Sequence, residues 1–296
     1  MTSIHFHISN EVTLHARLSR PAISHKKPLL VFLHYWGGSS STWYKLTSPG
    51  LPTSLISTHP TLACDLRGWG KSTGPSVDDG TAYLASTMAK DIATALQQLS
   101  SDNATKNLLD DGFIFVAHSM GAKVALATLP ALPSNLLESL KGFVLVAPAP
   151  PTALSLPPQM KEQQKMAYSN EESVRWTVEN VLANPAHLDD RDIEQIVRDS
   201  LAGNKSAKEA WPGYGMQEDI SGGVKKVLTS VSKGKLRASI LVGGLDVVEP
   251  REQVDRHVRL FLEENGVETS LQYVANGKHL LPLEYPEAVY KEIVSF

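Results

Sequence analysis

Phe113-Ile114-Phe115-Val116-Ala117-His118-Ser119-Met120-Gly121-Ala122-Lys123-Val124-Ala125-Leu126-Ala127 is the stretch on which the fold turns. An apolar, strand-like run passes through one serine between small residues and straight into a helical pattern. A serine at so sharp a strand-to-helix turn is held exposed, in a strained conformation, at the strand's C-terminal end. The residues two before and two after it must be small for the backbones to fit, and here they are Ala117 and Gly121. The usual pattern is G-x-S-x-G, from which Ala117 departs by one methyl group. The following helix N-terminus favours negative charge at the serine. A hydroxyl nucleophile needs exposure, a base within hydrogen-bond reach and N–H donors facing the developing oxyanion. This stretch meets the first need.

Working outward, four more runs are short and continuously apolar: Leu29–Leu33, Thr61–Cys64, Phe143–Ala147 and Ser239–Val242. Strands look like this when helices cover both faces of a parallel sheet. Between them lie helical periods, with Leu84, Met88, Ile92, Leu96 and Leu99 on one face and Val254, Val258 and Phe261 on another. Gln272–Val274 reads as a last strand and Tyr285–Phe296 as a closing helix. At the start, Ile4, Phe6 and Ile8, then Val12, Leu14, Ala16 and Leu18, alternate with polar residues around Asn10-Glu11, which predicts an antiparallel hairpin with one solvated face. That pattern puts His5, His7 and His15 on the solvated side. The whole implies an α/β fold, a three-layer sandwich with a mostly parallel central sheet.

One region breaks the rhythm. After Pro148-Ala149-Pro150-Pro151 no buried-strand pattern returns until about residue 237, and the interval holds helical faces such as Val174, Val178, Val181 and Leu182. Residues 1–150 and 223–296 are therefore expected to form one core, with 151–222 inserted as a helical lid. Four aromatics of that insertion, Tyr168, Trp176, Trp211 and Tyr214, are candidates for a pocket wall, together with Tyr35, Trp36 and Trp43.

Composition narrows the function classes. The 296 residues are 42% hydrophobic and 20% charged, as in soluble globular proteins, with a formal net charge of −3. No basic stripe is present to bind nucleic acid. No apolar run approaches the roughly 20 residues that span a bilayer. The N-terminus lacks a charged and then apolar leader, and the lone Cys64 sits in an apolar run, so a cytoplasmic, reducing setting is expected.

Five segments, in order, resemble the α/β-hydrolase superfamily over nearly the whole chain. Leu33-His34-Tyr35-Trp36-Gly37-Gly38 is similar to its H-G-x-x-G oxyanion segment, with Tyr35 in place of the usual glycine. Asp65-Leu66-Arg67-Gly68-Trp69-Gly70-Lys71-Ser72 matches D-x-R-G-x-G-x-S, and Ala117 to Gly121 stands as the elbow. Gly243-Gly244-Leu245-Asp246-Val247-Val248-Glu249-Pro250 fits G-x-x-D-x-x-x-P, and Gly277-Lys278-His279 resembles the histidine loop. The resemblance implies Ser119 as nucleophile, His279 as base and Asp246 as the acid that orients it. The alternative acid position, after the preceding strand, holds only Pro148-Ala149. Glu249 and Asp255 are expected as cap and surface charges. Aligned on His34, the oxyanion donors are the N–H groups of Met120 and Trp36, with Tyr35 as a one-residue alternative to Trp36.

The expected reaction is hydrolysis of an ester or lactone of a small to medium, largely apolar carbonyl compound through an acyl-enzyme, with no metal and no cofactor. His34, Tyr35, Trp176 and Trp211 are the expected substrate contacts, and the chain is expected as a monomer or homodimer. Two alternatives remain at this point: hydrolysis of a C–C bond beside a carbonyl by the same triad, and a ligand-binding receptor on the same fold. Epoxide hydrolases and dehalogenases of the superfamily use aspartate where Ser119 stands. The Gly68–Ser72 segment is no phosphate loop, because a Walker A motif needs glycine where Asp65 lies.

Overall fold

Continuously apolar strands need cover on both faces, and in the computed structural model helices provide it on either side of one eight-stranded sheet. The structure describes residues 1–22, 26–231 and 234–296. The strands are β1 (Thr2–His7), β2 (Thr13–Ser19), β3 (Leu29–Leu33), β4 (Thr61–Cys64), β5 (Phe113–His118), β6 (Leu140–Val146), β7 (Arg237–Gly243) and β8 (Glu268–Val274). Their spatial order is β1-β2-β4-β3-β5-β6-β7-β8, antiparallel from β1 through β2 to β4 and parallel from there on.

The three layers follow from the two-residue period of a strand. Val31, Leu33, Phe115, Ala117, Phe143 and Leu145 point into one apolar cluster with Met88, Ile92 and Leu96 of helix α1 (Ala85–Ser101). Their alternates Leu30, Phe32, Ile114, Val116, Val144 and Val146 point into the other, with Trp43 and with Val289 and Ile293 of the closing helix Pro286–Val294. The nine residues of helix α2 (Met120–Thr128), next after β5, are all buried. Each fully buried Leu, Ile or Phe contributes about 1.5–3 kcal/mol, so both faces of the sheet contribute substantially to the fold's stability.

The hairpin expectation corrects at one residue. His15 is buried, with Nδ1 2.8 Å from Asp65 Oδ2 and Nε2 3.0 Å from Ser3 Oγ, whereas His5 and His7 are exposed. The cause is topological: β2 pairs with β4 as well as with β1, so it is an interior strand. Asp65 in turn accepts the backbone N–H groups of Ser40 at 2.6 Å and Lys71 at 2.8 Å. A Cβ at Gly70 would lie 2.4 Å from that carboxyl group, so Asp65 and Gly70 define a packed turn. Arg67 closes it onto α1 through a buried two-point contact with Asp91, at 2.6 and 2.5 Å.

Among the described residues between β6 and β7 the secondary structure is entirely helical, led by α3 (Pro158–Met166), α4 (Glu171–Thr177), α5 (Asp190–Ala202), α6 (Lys205–Gly213) and α7 (Ser221–Leu228). Helix α5 starts on a capping box in which Asp189 Oδ1 accepts the Asp192 N–H at 2.8 Å. Helix α7 runs across residue 222, where the sequence pattern closes the insertion.

Candidate active site

Ser119 sits between β5 and α2 with φ 54° and ψ −117°, a left-handed backbone that costs a non-glycine residue about 1–3 kcal/mol. The end of β6 and the loop after it hold it there. Its N–H donates to the Val146 carbonyl at 3.0 Å, and its carbonyl accepts from Ala149 N–H at 3.2 Å. The two flanking small residues have unequal duties. A Cβ at Gly121 would fall 2.5 Å from the Leu33 carbonyl oxygen and 2.6 Å from that of His34, so no side chain fits. Ala117, paired across to Leu33 and Leu145, has room for its methyl group.

Asp246 follows β7 and His279 follows β8, so both arrive at the same sheet edge as Ser119. Asp246 Oδ2 lies 2.8 Å from His279 Nδ1, while Oδ1 accepts the backbone N–H groups of Val248 at 2.8 Å and Glu249 at 3.0 Å. A carboxylate at Nδ1 keeps the proton there and leaves Nε2 as the lone-pair nitrogen, which is the tautomer a base needs. His118, the neighbour of Ser119, donates from Nε2 to the His279 carbonyl at 2.8 Å and thereby ties the histidine loop to the end of β5. Burial, with His279 close by, lowers the His118 pKa well below the usual histidine value, so its ring is neutral.

Met120 is the first residue of α2, and its N–H has no acceptor one helical turn back. Trp36 N–H is aimed by its own peptide. The Tyr35 carbonyl accepts His34 Nδ1–H at 2.7 Å and Gly38 N–H at 3.0 Å, and across a trans peptide the Trp36 N–H points the opposite way. His34 Nε2 accepts the Leu66 N–H at 3.0 Å, so both ring nitrogens serve the framework. Burial lowers the His34 pKa to about 4 and keeps the ring neutral.

The other expected contacts divide. Tyr35 is buried with its ring 5.1 Å from that of His118, its hydroxyl facing Ser200 of α5; burial, with Tyr168 and Asp199 nearby, pushes its pKa well above the usual value. Trp211 is buried among the apolar residues of the insertion and core. Trp176 lies at the surface. It is 49% exposed and lines a groove of about 260 Å³ with Gln163, Met166 and Ser173.

Several residues at the site lacked a motif. Tyr168 packs on Trp36 with ring centroids 4.2 Å apart. The Leu182 carbonyl accepts the N–H groups of His279 at 2.9 Å and Leu280 at 3.0 Å, so the insertion holds the histidine's backbone. Glu284 Oε1 accepts the Asn184 N–H at 2.9 Å and the Lys278 N–H at 3.3 Å, joining the same two segments. Lys123 is buried, with Nζ 3.1 Å from both the Thr152 and Met216 carbonyls at the two ends of the insertion. Glu249, expected as a cap or surface charge, is 3% exposed, and burial, with Asp246 beside it, pushes its carboxyl group well above the usual range. It lies before the helix that starts at Arg251, so no outward helical face carries it. Asp255 does pair at the surface with Arg259. Among the described residues no cluster of three or more His, Cys, Asp or Glu could hold a metal ion, and no helix is long and apolar enough to cross a membrane.

The model of a family described as "Alpha/beta hydrolase family" matches residues 30–292. Among solved structures, an esterase from Exiguobacterium antarcticum superposes with a TM-score of 0.73 at 18% identity, covering 99% of this chain and 98% of its own. A thermophilic esterase from Thermogutta terrifontis gives 0.70 at 19%, over 100% and 97%. An enzyme described as degrading N-acyl homoserine lactones gives 0.67 at 18%, over 99% and 100%. No curated protein sequence matches the chain.

Proposed function

Because the chain belongs to the α/β-hydrolase family, we propose that it is a serine hydrolase cleaving a carboxylic ester or lactone of a small to medium, largely apolar substrate. One observation carries the reading: a serine held at φ 54° shares its sheet edge with a His279–Asp246 pair at 2.8 Å. Strain at a serine serves little purpose unless its hydroxyl must be presented.

His279 Nε2 takes the Ser119 proton as Oγ bonds to the substrate carbonyl carbon. The carbonyl oxygen becomes an oxyanion facing the N–H groups of Trp36 and Met120. Asp246 stabilises the imidazolium without taking its proton. The tetrahedral intermediate then breaks its bond to the alkoxy group, which leaves with the proton from His279. A water repeats the sequence on the acyl-enzyme, giving the acid and free Ser119. No step calls on a metal or cofactor. The closely packed, tilted rings of Trp36 and Tyr168 supply an apolar wall beside the donors, which favours an apolar acyl or alkyl group.

Ser119→Ala should lower turnover of p-nitrophenyl butyrate at least about a thousandfold and abolish labelling by a fluorophosphonate. Near-wild-type turnover in that variant would end the assignment.

A further inference from the structure

The loop Gly37-Gly38-Ser39-Ser40-Ser41 has small side chains and a glycine at φ 100°, so its course depends on the hydrogen bonds that hold its peptides. Oxyanion donors stabilise a transition state only when fixed before it forms. The core fixes one carbonyl of this segment, that of Tyr35, through His34 and Gly38. The next two carbonyls are held from the insertion. Tyr168 Oη donates to the Trp36 carbonyl at 2.8 Å, and Ser200 Oγ donates to the Gly37 carbonyl at 2.9 Å.

We propose that Tyr168 is a positioning residue for the oxyanion donor Trp36 N–H, assisted by Ser200, so that the insertion is part of the catalytic framework. This rests on the reading of Ser119 as nucleophile. A flip of the Trp36–Gly37 peptide would leave the Trp36 Cα tied on one side only, through the core-held Tyr35–Trp36 peptide, so that the Cα and the N–H beside it would be less firmly placed. The Tyr168 hydroxyl opposes that flip, and its ring packs closely on Gly37, where an added Cβ would lie 2.4 Å from it. Both donors are buried, at 3% and 0% exposure, where a satisfied hydrogen bond is costly to break. The grip continues along the loop. Trp36 Nε1 donates to the Lys208 carbonyl at 3.1 Å, and Ser39 Oγ donates to Asp199 of α5 at 2.9 Å, with Ser41 Oγ on the same carboxylate oxygen. An insertion that swung away as a free lid would release the oxyanion loop, and the His279 backbone held at Leu182 with it.

Tyr168→Phe keeps the ring stack and removes only the hydroxyl group, and Ser200→Ala removes the second donor. With p-nitrophenyl butyrate, kcat should fall roughly tenfold to a hundredfold in Tyr168→Phe while KM stays within about twofold. The inhibition constant of phenylboronic acid, whose serine adduct mimics the tetrahedral intermediate, should rise by the same factor. Ser200→Ala should show the same pattern more weakly. A purely structural or pocket-wall role would move KM or the unfolding midpoint and leave kcat and boronate affinity together unchanged; that result overturns the proposal. Fluorophosphonate labelling of the unsubstituted protein separates the two layers. Absence of a Ser119 adduct defeats the parent reading, whereas an adduct with an unaffected Tyr168→Phe enzyme defeats only this inference.

Discussion

Asp246→Asn changes one atom of the charge pair, yet the structure forces that change into the worst orientation. Asp246 Oδ1 accepts two backbone N–H groups, of Val248 at 2.8 Å and Glu249 at 3.0 Å. An asparagine must turn its carbonyl oxygen to these donors, since its NH2 group there would meet N–H against N–H. The NH2 group then faces His279 Nδ1, the atom now 2.8 Å from Oδ2. The imidazole has to present a lone pair at Nδ1 and so carries its hydrogen on Nε2, where it cannot accept the Ser119 proton. A serine enzyme trapped in that tautomer loses about ten-thousandfold in kcat, or about 5.5 kcal/mol of transition-state stabilisation. The assay is the pre-steady-state release of p-nitrophenol across pH 7 to 9, with the folded state checked by thermal unfolding. Asp246→Ala, which deletes more atoms but leaves the ring free to choose its tautomer, should lose no more activity than the isosteric exchange. If Asp246→Asn kept more than a tenth of the normal burst rate, the pairing would have no role in orienting the base.

Two further outcomes follow from the same geometry. Gly121→Ala sets a methyl group 2.5 and 2.6 Å from the carbonyl oxygens of Leu33 and His34, backbone atoms with nowhere to retreat; the overpacking should cost about 1–3 kcal/mol, read as a fall of several degrees in the thermal midpoint, and an unchanged midpoint would contradict it. His34 has a folded pKa lowered by burial to about 4 from the ordinary histidine value of 6.5, so the unfolded chain binds its proton first as pH falls. The neutral ring's stability is fully present above pH 6.5 and is lost as pH falls toward 4, by about 3 kcal/mol in all. Urea unfolding at several pH values should show a smaller loss of stability across this interval in His34→Gln, and parallel profiles for the two proteins would refute the assignment.

What was legible in the sequence and what was not follows the range of the forces involved. The apolar runs of β3 to β7 announce strands buried on both faces, and segments at strand ends reach one sheet edge by topology alone, whichever side chains lie between. Ser119, Asp246 and His279 were therefore visible together. The glycine at 121 was legible through the elbow pattern, although the carbonyl groups that exclude a Cβ there come from the end of β3, far back in the chain. Whether a strand is interior is a longer-range fact, so His15 could not be placed until β4 was seen beside β2. The exposure of Trp176 was legible: Val174 and Val178 are buried, and at 100° per residue a side chain two positions after Val174 faces away from them. Tyr168 lay beyond any such rule. It precedes the Asn170 cap of α4, in a link with no period, and only tertiary packing brings its hydroxyl to the Trp36 carbonyl. The part of the site carried by strand ends thus follows from the sheet's topology, while the part carried by the insertion depends on packing that no local pattern announces.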